Sequence, residues 1–195
     1  MMARGFRIDA VAIVRSRRVQ EEVAVMTVTL WMAVSLNGMA AREDQSEDFL
    51  SKTDWEMFLE LAGACDGIIW GRVTHQLFEQ SVRRQFAELP LVVVTRDSMF
   101  ATQPGSIRAS SPQEAVAFLM RSGSNRILLA GGSQLNAAFA QEGLVDEVIL
   151  AIEPVVIAKG IPMVAPNASD LRLSLLGVDD RRSPTLRLHY RVLKS

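Results

Sequence analysis

Hydrophobic and polar positions follow two different periods along the chain after Met26, and the order in which the periods change predicts the fold. Short apolar runs without polar interruption are typical of strands that are buried on both faces of a sheet. These runs are 27–34, 67–70, 91–95 and 126–130. Between them, apolar residues recur three and four positions apart, as in Trp55, Phe58, Leu59 and Ala62, and predict helices. The alternation of strands and helices predicts an α/β protein.

Capping and breaking residues mark the ends of the predicted helices. Ser111, Pro112 and Glu114 combine an N-cap, a proline at the first helical position and a carboxylate three residues after the cap, so a helix begins there. Glycine follows each of three predicted helices, where its freedom to adopt positive φ can end the helix. These glycines are Gly63, Gly123 and Gly143.

The C-terminal part of the chain has a different pattern. A strand predicted within 145–157 is stopped or bent at Pro154. In LRLSLLGV (171–178) and TLRLHYRVL (185–193), apolar and polar residues alternate, as expected for antiparallel strands with one solvated face. The predicted architecture is a mixed, mostly parallel central sheet with flanking helices and an antiparallel C-terminal hairpin.

Length and composition indicate one domain behind a short arm. The 195 residues fit a single domain at 26–195. Residues 1–25 hold five arginines and an apolar run too short for a signal peptide, so we expect a flexible arm. The formal net charge of -1 gives no general attraction to nucleic acid or to an anionic membrane. No apolar run reaches the length of a membrane-spanning helix.

The cysteine and histidine content argues against a metal site. Cys65 is the single cysteine, which excludes an intrachain disulfide and a thiolate zinc cluster within one chain. His75 and His189 are the only histidines. We therefore predict no metal, and a reducing, cytoplasmic setting.

Groups suited to phosphate follow three of the predicted buried strands. In an open α/β sheet, ligands bind beyond the carboxyl ends of the strands, so these groups would meet in one crevice if the strands are parallel neighbours. The groups are Gly71-Arg72-Val73-Thr74, Thr95-Arg96 and Gly131-Gly132-Ser133. Glycines before a helix allow backbone N–H groups and the positive end of the helix dipole to approach an anion.

Arg96 bears on the choice of cofactor. A guanidinium can bind a phosphate through two parallel hydrogen bonds, and an arginine near the ribose accommodates the 2′-phosphate of NADPH, whereas an NADH site usually has a carboxylate there. Neither G-x-G-x-x-G nor G-x-x-x-x-G-K-[ST] occurs in the chain. The spacing alone leaves two interpretations open: the groups bind a nucleotide, or the glycines only form turns between strands and helices. If a dinucleotide binds, NADPH is favoured.

The ordered motifs SLNG, GRVT, VVVTR, AGGSQL and GLVDEV resemble the dihydrofolate reductase-like superfamily, over about residues 26–193. Within it, the chain is most similar to the NADPH-dependent reductase domain of the riboflavin pathway, the C-terminal domain of bifunctional deaminase-reductases, and to its stand-alone relatives. The resemblance implies a reductase that transfers a hydride from NADPH to a pyrimidine-like, pterin-like or carbonyl substrate, and that often forms a homodimer. It also implies the cofactor-binding residues Gly71, Arg72, Val73, Thr74, Thr95, Arg96, Gly131, Gly132, Ser133, Gln134 and Leu135.

The same resemblance implies Ser35, Asn37 and Glu147 on the substrate side. Where the riboflavin-pathway members commonly have S-L-D-G-K, this chain has Ser35-Leu36-Asn37-Gly38-Met39, so an amide replaces a carboxylate. The catalytic residue stays open, with Asn37 and Asp48 as the candidates. Two alternatives to the riboflavin-pathway activity also remain: a true dihydrofolate reductase, and an NADP-binding module without turnover.

Other polar and aromatic residues are expected to have structural roles. Dihydrofolate reductases hold the pterin with a carboxylate on the helix after the first loop, for which Glu47, Asp48 and Asp54 are available, but a solvated loop and helix start is the favoured interpretation. Asp146 can be structural. We expect His75 to be a surface or cap residue. Trp31 and Cys65 are expected in the core.

Overall fold

The structure is a computed structural model, and it describes residues 26–180 and 184–194. The arm predicted at 1–25 lies outside the described residues. The strands are β1 (Thr27–Ser35), β2 (Met39–Arg42), β3 (Gly67–Gly71), β4 (Leu91–Val94), β5 (Ser106–Ala109), β6 (Arg126–Leu129), β7 (Glu147–Glu153), β8 (Gly160–Pro162), β9 (Leu173–Asp179) and β10 (Leu186–Val192). The helices are α1 (Lys52–Ala64), α2 (Arg72–Gln85), α3 (Pro112–Arg121) and α4 (Ser133–Gln141).

Eight strands form one sheet in the order β5-β4-β3-β6-β1-β7-β10-β9. In this order, each strand from β5 to β7 is parallel to the next one up to β7. β10 is antiparallel to both β7 and β9. The mostly parallel sheet with an antiparallel C-terminal pair of strands confirms the predicted architecture.

The sheet has a hydrophobic core on each face. α1 and α2 pack on one face, where Met57 and Phe58 join a cluster with Trp70 of β3. α3 and α4 pack on the other face, where Leu119 and Phe139 join a cluster with other strand residues. Successive residues of β3 belong alternately to the two clusters, so both faces of the strand are buried. This explains why the central strands are unbroken apolar runs in the sequence.

Capping residues fix the helix starts as the sequence predicts. The Glu114 N–H donates to Ser111 Oγ at 3.2 Å, with Pro112 at the first helical position. β7 ends at Glu153, directly before Pro154. The sequence pattern missed β2, β5 and β8, which have only three or four residues and carry too few positions to show a period.

The expectation that His75 lies at the surface is wrong. His75 is buried, with its ring centroid 5.5 Å from that of Trp70 and 6.0 Å from that of Phe100. Burial lowers the pKa of its imidazole. Position 75 therefore lies on the sheet-facing side of the first turn of α2, whereas the neighbouring Val73 and Leu77 are exposed.

Cys65 follows α1 and is only partly buried. Burial nevertheless raises the pKa of its thiol to about 12, so the thiolate that a reactive cysteine needs is disfavoured. In the part of the chain that the structure describes, no helix is both long enough and apolar enough to cross a bilayer.

Candidate functional site

The three groups predicted to bind phosphate lie together at the carboxyl ends of three neighbouring strands of the sheet. β3 lies between β4 and β6, so the residues that follow these strands are adjacent. The Gly71 N–H donates to the carbonyl oxygen of Gly131 at 2.7 Å, which ties the end of β3 to the end of β6. A cleft of about 1010 Å³ opens there. Ten of the predicted cofactor residues line it: Gly71, Arg72, Val73, Thr74, Thr95, Arg96, Gly132, Ser133, Gln134 and Leu135. Gly131, the eleventh, is not among the lining residues.

Two helices begin at this cleft without a capping side chain. Gly71 is the N-cap of α2 and Gly132 is the N-cap of α4, and neither offers a side-chain oxygen to the first turn. By contrast, Ser51 caps α1 and Ser111 caps α3. Backbone N–H groups at an uncapped N-terminus, together with the helix dipole, attract an anion.

The paired glycines leave room for a ligand for different reasons. Gly131 has φ +79, a backbone conformation that favours glycine, and a Cβ there would lie 2.9 Å from Met32 Sδ, so the methionine side chain would have to move. A Cβ on Gly132 would meet only Thr74 Oγ1 within 4 Å, at 3.6 Å. The protein itself would tolerate a side chain at position 132. Because position 132 lines the cleft, its glycine suits the close approach of a bound anion.

Positive charge in the cleft comes from two arginines. Among the described residues that line it, Arg72 and Arg96 are the only lysines or arginines, and both are exposed. Asp97 also lines the cleft, but its Oδ1 accepts the Met99 N–H at 3.0 Å and is therefore engaged locally. Glycines, uncapped helix starts and arginines together fit a group with several phosphates.

Besides Asp97, three carboxyl groups line the cleft: Glu142 at the end of α4, and Glu47 and Asp54 near the start of α1. The expectation that Asp54 lies at a solvated helix start is wrong, because its exposed fraction is 5%. Its Oδ1 has no hydrogen-bond partner among the described residues. Asp54 lines the cleft, and a buried carboxyl with an unpaired oxygen is a candidate to bind a polar group of a ligand.

The capping of α1 explains how Asp54 comes to face the cleft. Asp54 is three residues after the N-cap Ser51, where a carboxylate commonly accepts the N–H of the capping residue. Here Glu153 takes that N–H instead, with Oε1 3.2 Å from Ser51 N and 2.7 Å from Ser51 Oγ. Thr185 Oγ1 also donates to Glu153 Oε1, at 3.2 Å. The side chain of Asp54 is therefore not needed to cap α1, and Asp54 lines the cleft.

The surroundings of Asp54 and Glu47 favour the protonated form of their carboxyl groups. Burial, followed by the charges of Glu153 and Glu47, raises the pKa of Asp54 to about 7. Burial also raises the pKa of Glu47 to about 7. Carboxyl groups that hold a proton near neutral pH can act as proton donors.

The structure does not bring the predicted substrate residues Ser35 and Asn37 to the cleft lining. Asn37 instead joins two loops, because its Nδ2 donates to the Ile157 carbonyl oxygen at 2.8 Å and its Oδ1 accepts the Ile157 N–H at 3.1 Å. Ser35 Oγ donates to the same Oδ1 at 2.8 Å and accepts the Met39 N–H at 3.0 Å. Both side chains hold the turn after β1.

Asp48 and Glu147 also lie away from the cleft lining. Asp48 forms an ion pair with Arg42 at 2.5 Å, and its side chain is 61% exposed. Glu147 is the first residue of β7, at the edge of the sheet opposite to the cleft, where its Oε2 is 2.9 Å from His189 Nε2. Next to it, Asp146 Oδ2 accepts the Val28 N–H at 2.9 Å, which is a structural role.

Aromatic residues form a further part of the site that the sequence did not reveal. All three tryptophans, Trp31, Trp55 and Trp70, line the cleft. Trp55 stacks on Phe58 and Phe78, with ring centroids 5.2 and 5.9 Å apart. Helical spacing marks Trp55 and Phe58 as one apolar face, but spacing alone cannot separate a face on the sheet from one on a cleft.

Comparison with known proteins places this geometry in a family. The model of the RibD C-terminal domain matches residues 26–183. The Bacillus subtilis (strain 168) protein YwjB, described as uncharacterized, is 31% identical over 175 residues, which are 83% of this chain and 95% of that protein.

Solved structures share the fold at low identity. A pyrimidine reductase-like protein from Corynebacterium diphtheriae is 16% identical with a TM-score of 0.66, over 87% of this chain and 93% of that one. The Thermotoga maritima protein described as a diaminohydroxyphosphoribosylaminopyrimidine deaminase/5-amino-6-(5-phosphoribosylamino)uracil reductase is 16% identical with a TM-score of 0.68, over 87% of this chain and 57% of that one. The family model matches most of the length of this chain. The chain therefore belongs to the family of the RibD C-terminal domain, the reductase-like domain of riboflavin biosynthesis proteins.

Proposed function

We propose that this protein is an NADPH-dependent reductase that transfers a hydride to a small heterocyclic substrate, of the type reduced in the riboflavin pathway. One observation carries the proposal: the phosphate-binding groups at the ends of three strands open into the same cleft as the buried carboxyl of Asp54. Membership of a reductase-like family supports the reaction type.

The residues present fit the phosphates of the cofactor. The N-termini of α2 and α4, beginning at Gly71 and Gly132, would hold the pyrophosphate, with the Thr74 hydroxyl as a further donor. Arg96 would bind the 2′-phosphate, together with Thr95. This arrangement accounts for the preference that we propose for NADPH over NADH.

When bound, the cofactor supplies a hydride to the electron-poor carbon of a C=N or C=O bond. The protein supplies position and a proton. Asp54, which favours its protonated form up to about pH 7, would donate that proton to the substrate nitrogen or oxygen and become a carboxylate. Glu47, which lines the same cleft, would hold the substrate edge.

Asp54 also favours a second candidate within the same reaction class. A carboxyl group on the helix after the first loop is the feature by which dihydrofolate reductases hold a pterin, and the structure has one there. We therefore propose two candidate reactions: reduction of a riboflavin-pathway pyrimidine and, as the second, reduction of a dihydropterin. The position of Asn37, bound to Ile157 outside the cleft lining, gives no support to a role in either reaction.

We also propose that the protein forms a homodimer through β9. This strand is at the edge of the sheet and exposes Leu173, Leu175, Leu176 and Val178. An edge strand with a row of exposed apolar side chains tends to pair with another chain. A second copy that covered these side chains would remove them from water.

Two measurements test the function. Titration with NADPH and NADH, followed by quenching of the tryptophans in the cleft, should give tighter binding for NADPH. Oxidation of NADPH at 340 nm, measured with a phosphoribosylaminopyrimidine, dihydrofolate and small carbonyl compounds, should then identify a turned-over substrate. Equal affinity for the two cofactors would contradict the assignment of Arg96. Tight NADPH binding without oxidation across the panel would instead favour a module without turnover.

A further inference from the structure

Strands β2 and β8 form a two-stranded ribbon that is separate from the eight-stranded sheet. The two strands are antiparallel, and three residues of this ribbon line the cleft: Ala40, Ala41 and Ile161. An isolated pair of strands is marginally stable at best, so the ribbon depends on its contacts with the rest of the fold. Those contacts therefore determine the shape of this part of the cleft.

The segment 163–165, which directly follows β8, connects the ribbon to α4 and is called the strut here. At one end of the strut, the Met163 N–H donates to the carbonyl oxygen of Gly38, the residue before β2, at 3.0 Å. At the other end, the Ala165 N–H donates to the Ser133 carbonyl oxygen at 3.2 Å. Ser133 is the first residue of α4. The strut thus joins both strands of the ribbon to the helix start that follows Gly132.

Asn136 makes a side-chain hydrogen bond between α4 and the strut. It is the fourth residue of α4, and its exposed fraction is 0%. Its Nδ2 donates to the Met163 carbonyl oxygen at 2.8 Å, and its backbone N–H donates to the Gly132 carbonyl oxygen at 3.0 Å. One buried residue is therefore bonded both to the N-cap of α4 and to the strut.

The amide of Asn136 uses only part of its hydrogen-bonding capacity. Its Oδ1 is buried and has no hydrogen-bond partner within residues 26–180 and 184–194. A buried polar atom without a partner costs free energy, and an apolar side chain of similar size would avoid this cost. Stability alone therefore explains Asn136 poorly. What an apolar residue could not supply is the hydrogen bond from Nδ2 to the strut.

We propose that Asn136 is a positioning residue that couples the first turn of α4 to the β2–β8 ribbon, so that an anion bound at this turn holds the ribbon in one arrangement. The proposal rests on the proposed function, because it takes the phosphates of the cofactor as the anion. The order imposed on α4 reaches the strut through Asn136 and Met163, and the ribbon through Gly38. A ribbon that is already ordered loses less conformational entropy when a substrate binds beside Ile161.

Amide hydrogen exchange of the full chain, followed by mass spectrometry, tests the coupling without turnover. Exchange is measured without ligand, with NADPH, and with 2′-phospho-ADP-ribose, which has the phosphates of the cofactor and no nicotinamide. The N–H groups of Met163 and Ala165 exchange when the strut opens, so they report on its order. We expect each ligand to slow exchange in peptides from 39–42 and 160–165 by roughly fivefold or more.

Asn136→Leu removes the Nδ2 donor and keeps a side chain of similar size. We expect the slowing in the ribbon and strut peptides to fall below about twofold, while the first turns of α2 and α4 stay protected by the ligand. The matched control is Ser124→Ala, which also removes a buried side-chain donor to a backbone carbonyl, Ser124 Oγ to Asp66 O at 3.0 Å. Ser124 precedes β6 and does not line the cleft, so this variant should respond like wild-type protein.

The outcomes separate this proposal from the proposed function. If NADPH slows exchange nowhere, it does not bind, and the proposed function and the coupling are both overturned. If the first turns of α2 and α4 are protected in wild-type protein but the ribbon is not, the coupling alone is overturned.

Three other results would also overturn the coupling alone. Slowing that persists in the ribbon of Asn136→Leu would mean that the order does not pass through Asn136. Slowing with NADPH but not with 2′-phospho-ADP-ribose would mean that the nicotinamide covers the ribbon directly. An equal loss in Ser124→Ala would mean that any buried hydrogen bond has the same effect. Thermal melting checks that each variant is folded, and Asn136→Ala is used if Asn136→Leu is not.

Discussion

Replacement of Asp54 by asparagine tests the electrostatics of the cleft without any knowledge of the substrate. The pKa of this carboxyl rises from 3.8 to about 7, mainly through burial and then through the charges of Glu153 and Glu47. Asparagine has nearly the same shape and cannot ionise. Because Asp54 Oδ1 accepts no hydrogen bond from the described residues, we expect the replacement to remove a charge and little else.

The sign of the effect follows from proton binding in the folded and unfolded states. Between about pH 4 and pH 7 the folded protein keeps a proton on Asp54 that the unfolded chain has released, so the free energy of unfolding falls as pH rises. Each unit of pKa shift corresponds to about 1.4 kcal/mol, and a shift of roughly three units gives a penalty of up to about 4 kcal/mol above pH 7. Asp54→Asn removes this penalty.

The assay is urea denaturation followed by tryptophan fluorescence at several pH values from 4.5 to 8.5. We expect wild-type protein and Asp54→Asn to have similar stability at the acid end, and the variant to be more stable by up to about 4 kcal/mol at the alkaline end. Asp48→Asn is the matched control. Its side chain is 61% exposed in an ion pair with Arg42, so its replacement should change stability by less than about 1 kcal/mol.

Parallel stability curves for wild-type protein and Asp54→Asn would refute the reasoning. They would mean that the carboxyl ionises as easily in the folded protein as in the unfolded chain, which is incompatible with a buried, unpaired Oδ1. A loss of stability in the variant at every pH would also refute it, because the carboxyl would then be making a favourable interaction.

Three further predictions concern the cofactor half of the cleft and the sheet edge. Arg96→Ala should narrow the difference in binding free energy between NADPH and NADH by about 1.5–3 kcal/mol, measured by titration, and an unchanged difference would contradict the 2′-phosphate assignment. Gly132→Ala should weaken NADPH binding at least tenfold with little change in melting temperature, whereas Gly131→Ala, at φ +79, should destabilise the fold by about 1–3 kcal/mol. Leu175→Asp should shift a dimer to monomer in analytical ultracentrifugation while NADPH affinity is retained, and a wild-type protein that sediments as a monomer would contradict the proposed dimer.

The sequence predicted the fold and the convergence of the three glycine- or arginine-containing groups on one cleft, because both depend on local signals. A buried strand, a glycine and a helix follow one another within a few residues at Gly71 and at Gly132. Such a segment determines its own geometry, and the parallel sheet then brings the ends together. Ten of the eleven predicted cofactor residues line the cleft for this reason.

The acidic side of the cleft could not be predicted in the same way. The burial of Asp54 depends on Glu153, which takes the N–H of Ser51 from 102 residues away. In sequence, an aspartate three residues after a serine cap looks like an ordinary helix start. Only the tertiary structure shows that the cap is satisfied by a different carboxylate.

The position of Asn37 outside the cleft lining has the same origin. The family pattern places a substrate residue at this turn, but in this chain the side chain bonds both backbone groups of Ile157, 120 residues further along. An amide can donate and accept at once, so it can hold two loops together where a carboxylate could only accept. The replacement of the carboxylate by an amide thus suits a structural bridge, and the proton donor that we propose, Asp54, lies on α1 instead.

These two cases separate the cleft into parts of different origin. The proposed cofactor side is built from contiguous segments that directly follow β3, β4 and β6 and that supply glycines, threonines or arginines. The acidic side is assembled from β7, α1 and the segment around Thr185, which are held together by Glu153. We expect a change in one of these distant residues to alter substrate binding without disturbing cofactor binding. The reason is that no predicted cofactor residue takes part in the hydrogen bonds of Glu153. Membership of the family therefore supports the hydride donor that we propose, whereas the chemistry around Asp54 bears on the substrate that we propose.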